Sequence, residues 1–252
     1  MKNFHRVHNS GQLLIVAALA IAILISSTTI YVYELSRERT ATQNQLTTEF
    51  ILALKQSSRN TVISSLANAS KGGEKSVLET NLNSLLQAYR SLSQPGICNL
   101  SFTVLNDSNY ADGIWLSWGE IDDFGVSSAY ANFSLAIYGL EANITANYAV
   151  NVTTAVTLEG YYTTNGLEKL VNLSCRVFNE GKPALAKNIT LYYEDLGVWL
   201  PVNSSNNLSI TDYGNGTYAI SFTVITISDT VPISAHINDL REIFVQANII
   251  CH

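Results

Sequence analysis

Eleven asparagines stand two residues before a serine or threonine in the N-x-S/T pattern. They are Asn68, Asn99, Asn106, Asn132, Asn143, Asn151, Asn172, Asn188, Asn203, Asn207 and Asn215. This spacing is the acceptor pattern for an N-linked glycan, a bulky and solubilising group that must sit on a surface. The pattern recurs more than twice as often as the asparagine and hydroxyl content would place it by chance. On a β-strand, residues two apart share a face, so an acceptor amide and its hydroxyl point the same way. Every candidate lies in the C-terminal three quarters of the chain.

Cysteine is the other residue type here with chemistry of its own. The chain has three, Cys98, Cys175 and Cys251. Outside the cytoplasm a pair of them oxidises. Cys175 is in phase with apolar Leu173 and Val177, and Cys251 with Val245, Ala247 and Ile249. A Cys175–Cys251 bridge is the preferred pairing, but Cys98 is also in phase with a core face, so three pairings stay open.

No other constellation emerges. His5 and His8 come early, His236 stands alone and His252 is terminal, and no spacing suggests zinc. Glu120, Asp122 and Asp123 read as an acidic turn before Phe124-Gly125, not as a calcium loop. No Ser/His/Asp set can be picked out. The expectation is a non-enzymatic protein with no catalytic residue, cofactor or metal. Trp118 follows Ile114 and Leu116 toward a core, whereas Trp115 faces the other way, toward a glycan or partner.

The elements that carry these residues begin with an apolar run. Residues 13–33 hold no formal charge, and about 30 Å of helix at 1.5 Å per residue matches a bilayer core. Ser26 to Thr29 soften its second half, where hydroxyls can bond back to the preceding turn. Tyr31 and Tyr33 stand where an interfacial aromatic belt would be. The run is longer than a secretory h-region and lacks a small-residue cleavage site. It predicts a single transmembrane helix in contact with the lipid bilayer. The acceptor asparagines beyond it set the orientation, N-terminus cytoplasmic and C-terminal part extracellular.

Charge divides the chain. Residues 1–95 carry 9 Lys/Arg against 5 Asp/Glu, and residues 96–252 carry 5 against 15. An acidic distal part excludes nucleic acid as a partner, because phosphate contacts need cations. With 13% charged and 47% hydrophobic residues, the composition is that of a folded chain.

Residues 34–70 lack Pro and Gly and continue the helix outward, with Leu46, Phe50, Ile51 and Leu54 on one face and Val62, Ile63 and Leu66 grouped further on. Gly72-Gly73 breaks it. A second helix is predicted over 74–92, from Leu78, Leu82, Leu85, Leu86, Tyr89 and Leu92, and Pro95-Gly96 stops it. The apolar stripe of these helices packs internally or forms a seam for other copies or other surface proteins.

From Ile97 onward the period becomes two. Ile144, Ala146, Tyr148, Val150 and Val152 alternate with Asn143, Thr145, Asn147, Asn151 and Thr153, as in a half-buried antiparallel strand. About ten such strands predict a sandwich. Val177-Phe-Asn-Glu-Gly-Lys-Pro-Ala184 is similar to a turn of immunoglobulin-like surface modules of bacteria and archaea. Gly214-Asn-Gly-Thr-Tyr218 looks like the strand-initiating turn of the same modules. That resemblance, over about 158–252, implies a fold used as a spacer or adhesion unit. At the other end, the basic start, Ser10-Gly11-Gln12 and the apolar run resemble the N-terminus of archaeal pilin-like surface proteins. This implies cleavage after Gly11, although Ser10 and Val16 depart from the usual residues there.

The expected architecture is α+β, an N-terminal transmembrane helix extended into a helical stalk and followed by an antiparallel, immunoglobulin-like β-sandwich ectodomain. Its segments are 1–12, a cytoplasmic end or leader; 13–33, the anchor; 34–95, the helical stalk or hairpin; 96–157, a β-rich region; and 158–252, the sandwich module. The expected function is a structural or adhesive, glycosylated cell-surface protein. The alternatives are a pilin-like filament subunit and, third, an anchored enzyme or solute receptor.

Overall fold

The computed structural model describes residues 8–92, 98–121, 123–138 and 143–252, without the side chains at 8–20, 23, 35–47, 92, 120 and 121. The chain divides into two compact units, Met1–Lys55 and Gln56–His252.

The first unit is occupied by the larger part of helix α1 (His8–Ser70). From Gln12 to Lys71 the sequence has neither Gly nor Pro, so no residue breaks the helical backbone. Ile21, Leu24, Ile25, Ile30, Tyr31, Val32 and Tyr33 each expose more than half of their surface. The Thr28 hydroxyl donates to the Leu24 and Ile25 carbonyls and that of Thr29 to the Ile25 carbonyl, at 2.7–3.0 Å. These bonds hide the hydroxyls against the preceding turn, as the sequence suggests. Among the described residues no helix is long and apolar enough to cross a membrane. The anchor expected at 13–33 falls partly outside those residues, because the side chains of 13–20 and 23 are not described. The same holds for the leader 1–12, for Leu46 of the expected stalk, and for Pro95-Gly96.

The second unit begins with the end of α1. The helix stops where Gly72 takes φ of +98°, a conformation that glycine adopts at least cost. Helix α2 (Val77–Leu92) folds back on it. Leu78, Leu82 and Leu86 of α2 and Val62 and Leu66 of α1 are buried. Asn81 Nδ2 donates to Ser65 Oγ at 2.9 Å, and the Tyr89 hydroxyl donates to Ser57 Oγ at 3.0 Å.

Among the described residues twelve strands follow. They are β1 (Cys98–Val104), β2 (Ile114–Ile121), β3 (Phe124–Tyr138), β4 (Asn143–Asn165), β5 (Glu168–Asn179), β6 (Lys182–Pro183), β7 (Ala186–Asp195), β8 (Val198–Pro201), β9 (Ser209–Asp212), β10 (Thr217–Ile225), β11 (Val231–Asp239) and β12 (Phe244–Cys251). Every ladder is antiparallel. An eight-stranded sheet runs β1-β3-β4-β5-β10-β9, with β2 beside β3 and β6 beside β5. A four-stranded sheet runs β12-β11-β7-β8. The fold is therefore β-rich and antiparallel, compatible with a sandwich.

One core joins the two sheets. Val156, Leu158, Leu173, Cys175, Val177, Ile220, Phe222 and Val224 come from the larger sheet. Leu191, Ile233, Ala235, Ile237, Val245, Ala247 and Cys251 come from the smaller. A fully buried Leu, Ile or Phe contributes about 1.5–3 kcal/mol relative to exposure. The division expected at residue 157 falls inside β4, which pairs with β3 over its first two thirds and with β5 from Thr154 onward.

Asp239 ties the unit together. It is fully buried and accepts from the Arg241 and Ile243 amides, from Thr154 Oγ1 at 2.9 Å and from Arg241 Nε at 2.8 Å. Arg241 also reaches Glu180 at 2.6 Å and the Thr153 carbonyl at 3.0 Å. The β11–β12 turn is thereby bound to β4 and to the β5–β6 turn.

Candidate functional site

Four of the eleven acceptor asparagines share one face of the fold. Along β1, β3 and β4 the register sets Asn99 opposite Ala136, Ser101 opposite Ser134, and Thr103 opposite Asn132. It sets Asn132 opposite Ala149, Tyr130 opposite Asn151, and Tyr138 opposite Asn143. Since alternate residues share a face, Asn99, Asn132, Asn143 and Asn151 all point to the outer side of this sheet. The inner side carries Leu100, Phe102, Phe133, Leu135 and Tyr148. There Tyr148 meets Ser58 of α1, hydroxyl to hydroxyl, at 3.0 Å.

The outer face has no formal charge. Between Arg90 and Lys169 the chain has no Lys or Arg, and its acids there lie outside β1, β3 and the paired stretch of β4 facing them. Neutral hydrogen bonds hold it. The Tyr130 hydroxyl donates to Asn132 Oδ1 at 3.0 Å. Thr153 Oγ1 donates to Asn151 Oδ1 at 3.2 Å, and Ser128 Oγ lies 2.8 Å from Thr153 Oγ1. Tyr110, whose ring stands 5.9 Å from that of Trp115, places its hydroxyl 2.9 Å from Ser128 Oγ. Trp115 thus lines the outer face, while Trp118 packs edge-on against Phe244, with ring centroids 5.0 Å apart.

The other candidates are distributed. Asn106 sits in the turn before β2 and accepts the Asp112 amide at 2.7 Å. Asn188 on β7 donates to Thr190 Oγ1 at 3.3 Å. Asn203 caps the short 3-10 turn Ser204–Asn206 and accepts Ser205 Oγ at 2.6 Å. Asn207 closes that turn at φ of 54°. Asn215 accepts the Thr217 amide at 3.1 Å, ahead of β10. In Asn151, Asn188 and Asn203 the acceptor carboxamide touches its own downstream hydroxyl. Ten of the eleven asparagines are exposed, and Asn172 on β5 is half-buried.

Asn68 differs in kind. It lies in the last turn of α1, where residues two apart do not share a face. Its partner Ser70 is 2% exposed, donates to the Ala67 carbonyl at 3.2 Å and accepts the Phe244 amide at 3.0 Å. The fold has already committed this hydroxyl.

The cysteines are free thiols. Cys175 on β5 and Cys251 on β12 are both fully buried in the shared core, as their phase predicts. The bridge between them is not formed. Cys251 Sγ lies over Gly160, 3.1 Å from where a Cβ would stand, and the register partner of Gly160 is Leu173, not Cys175. Burial pushes the Cys175 thiol up to about 12 and the Cys251 thiol up to about 11. Cys98, half-buried, is also raised by burial. Gly11, the expected cleavage point, falls within the first turns of α1, and its surroundings lie outside the described residues.

His236 is less isolated than its place in the sequence suggests. Its ring lies 4.7 Å from that of Tyr192 and 5.4 Å from that of Phe244, and burial lowers its pKa. Strand pairing alone brings these three together, so no sequence spacing announces them. A surface depression of about 420 Å³ lies beside Asn215, between Arg176, Pro183, Leu185 and Gly216. Arg176 pairs with Glu159 at 3.4 Å. Among the described residues no group of three or more His, Cys, Asp or Glu gathers as metal ligands would.

No protein-family model matches the chain, no curated protein matches it in sequence, and no solved structure matches it.

Proposed function

We propose that this chain is a non-enzymatic, single-pass membrane-anchored cell-surface protein, structural or adhesive, displaying a glycosylated β-sandwich ectodomain. The observation that carries the reading is the apolar surface of α1 between Ile21 and Tyr33, where seven large side chains are each more than half exposed. A helix apolar around its circumference is stable when lipid or other helices replace water. The hydroxyls of Thr28 and Thr29, turned back onto the backbone, suit the same surroundings. The acceptor asparagines follow this segment and not one precedes it. In this reading, residues 34–70 continue as a stalk and the antiparallel β-rich part that follows, whose strand β4 runs across residue 157, is the ectodomain. The test is protease treatment of intact cells that express the chain with a C-terminal epitope. Loss of the epitope from a membrane fraction that resists carbonate extraction supports the reading. A protected epitope, or release by carbonate, overturns it.

A second reading, a pilin-like subunit of an archaeal surface filament, is favoured by α1. Among the described residues the helix runs from His8 through the Ser10-Gly11-Gln12 junction and continues well past the apolar run. Sequencing the mature N-terminus separates the two. A chain starting at Gln12 favours the filament, and one starting at Met1 favours a permanent anchor.

A further inference from the structure

Strand β1 ends the eight-stranded sheet. Among the described residues it pairs with β3 on one side and with nothing on the other. An open edge presents unpaired amides and carbonyls to any other chain, and proteins guard such edges with Lys, Pro, bulges or covering loops. Within Cys98–Val104 there is no Lys, Pro or bulge, and among the described residues no strand pairs with its outer edge, although α2 packs against β1. Its sequence Cys-Asn-Leu-Ser-Phe-Thr-Val contains no charge and no proline, and its seven register pairs run without a bulge. It also has the size, β propensity and neutrality of a self-pairing segment. What it does carry is Asn99 near one end, while Asn132 stands beside Thr103 near the other. Four residues of strand, about 13 Å, separate those two positions. Both asparagines are exposed on the uncharged outer face, each with its hydroxyl two residues on, Ser101 and Ser134, which are themselves register partners.

We propose that Asn99 and Asn132 carry N-linked glycans whose role is to close the open edge of β1 against pairing with a second copy of this chain. The inference rests on the surface location proposed above. In the transfer, Asn Nδ2 attacks the anomeric carbon of a polyprenyl diphosphate-linked oligosaccharide. The N-glycosidic bond forms, the anomeric C–O bond breaks, polyprenyl diphosphate leaves with the electron pair, and the Nδ2 proton passes to the transferase base.

The test is expression of the full chain in a secretory host that adds high-mannose glycan to N-x-S/T. Glycopeptide mass spectrometry should find both sites occupied. Sedimentation in detergent should then show the N99Q/N132Q variant associating at concentrations at least tenfold lower than the wild-type chain. N203Q/N207Q, altered away from β1, should sediment as wild type. Adding T103K, a charge on the edge strand, to N99Q/N132Q should reverse the association. Enzymatic removal of the sugars from the folded wild-type chain should reproduce it without any substitution. Unoccupied Asn99 and Asn132, unchanged sedimentation after sugar removal, or association that T103K leaves intact would each overturn the proposal. Because protease accessibility is scored separately, a correctly exported chain with a bare edge defeats this inference and leaves the surface location standing.

Discussion

At the scale of single residues, spacing identifies a reactive group but not whether the fold leaves it free. The acceptor pattern at Asn68 looks like the other ten, yet Ser70 is tied to the Phe244 amide, 174 residues further on. Folded chains should therefore lack glycan at Asn68 and carry it at Asn151 and Asn188, which glycopeptide mapping reads directly. Ser70→Ala leaves the part-buried Phe244 amide unpaired and should cost about 1 kcal/mol in urea unfolding. The cysteines follow the same logic. Their phase placed Cys175 and Cys251 in a core, and both are there. Phase does not give the stagger between two facing sheets, which decides what each sulfur meets: Cys251 Sγ lies over Gly160 of β4. With Cys175 pushed up to about 12 and Cys251 to about 11, few thiolates exist at pH 8. Iodoacetamide should then label Cys98 first in the native protein, and all three cysteines once it is denatured. Intact mass distinguishes this from a bridged chain, which takes up one label after denaturation without reductant.

At the scale of elements, alternation was the readable signal, because burial on one face enforces it. Val150 and Val152 are buried and Asn151 is exposed, as the pattern over 143–153 requires. The turns at Gly181 and at Gly214 and Gly216 also stand where the sequence places them, all with positive φ. What alternation does not contain is how far one strand serves two partners. β4 runs on for 23 residues and joins the two β regions. Nor does it show where sheets touch. Gly125 stood in the sequence only as a residue following an acidic turn, but a Cβ there would stand 1.9 Å from the Gln246 carbonyl oxygen of β12. Gly125→Ala pushes backbone against backbone and should destabilise by about 1–3 kcal/mol in urea titration. The β11–β12 turn depends on its ion pair in the opposite sense. Arg241→Ala strands the buried Asp239 carboxylate, and about 3–5 kcal/mol of stability should be lost. Asp239→Asn combined with Arg241→Met should cost less than Arg241→Ala alone, because no uncompensated charge remains.

At the scale of the whole molecule, the acidic distal part makes stability a function of pH, and His236 and Glu242 each contribute a window, with Asp107, lowered by the Tyr110 and Asn109 amides, acting in the same acid range as Glu242. Burial beside Tyr192 and Phe244 holds His236 below its ordinary 6.5. The unfolded chain takes up that proton first, so stability is full above about 6.5 and falls as pH drops through it. Glu242 behaves as a carboxylate kept charged. Hydrogen bonds from Lys187 and Lys71 bring it from 4.5 down to about 2. Its contribution is present above 4.5 and is lost as pH falls toward 2. The pair is open to solvent, so salt should weaken this second window while leaving the first nearly unchanged. Thermal melting of the full chain from pH 8 to pH 3 should therefore show a plateau above neutrality and two descending steps. His236→Gln should remove the upper step only. Glu242→Gln should flatten the lower step only, and 0.5 M salt should mimic that second change. A single step centred near pH 4 that neither substitution alters would assign the acid response to other carboxylates of the distal part.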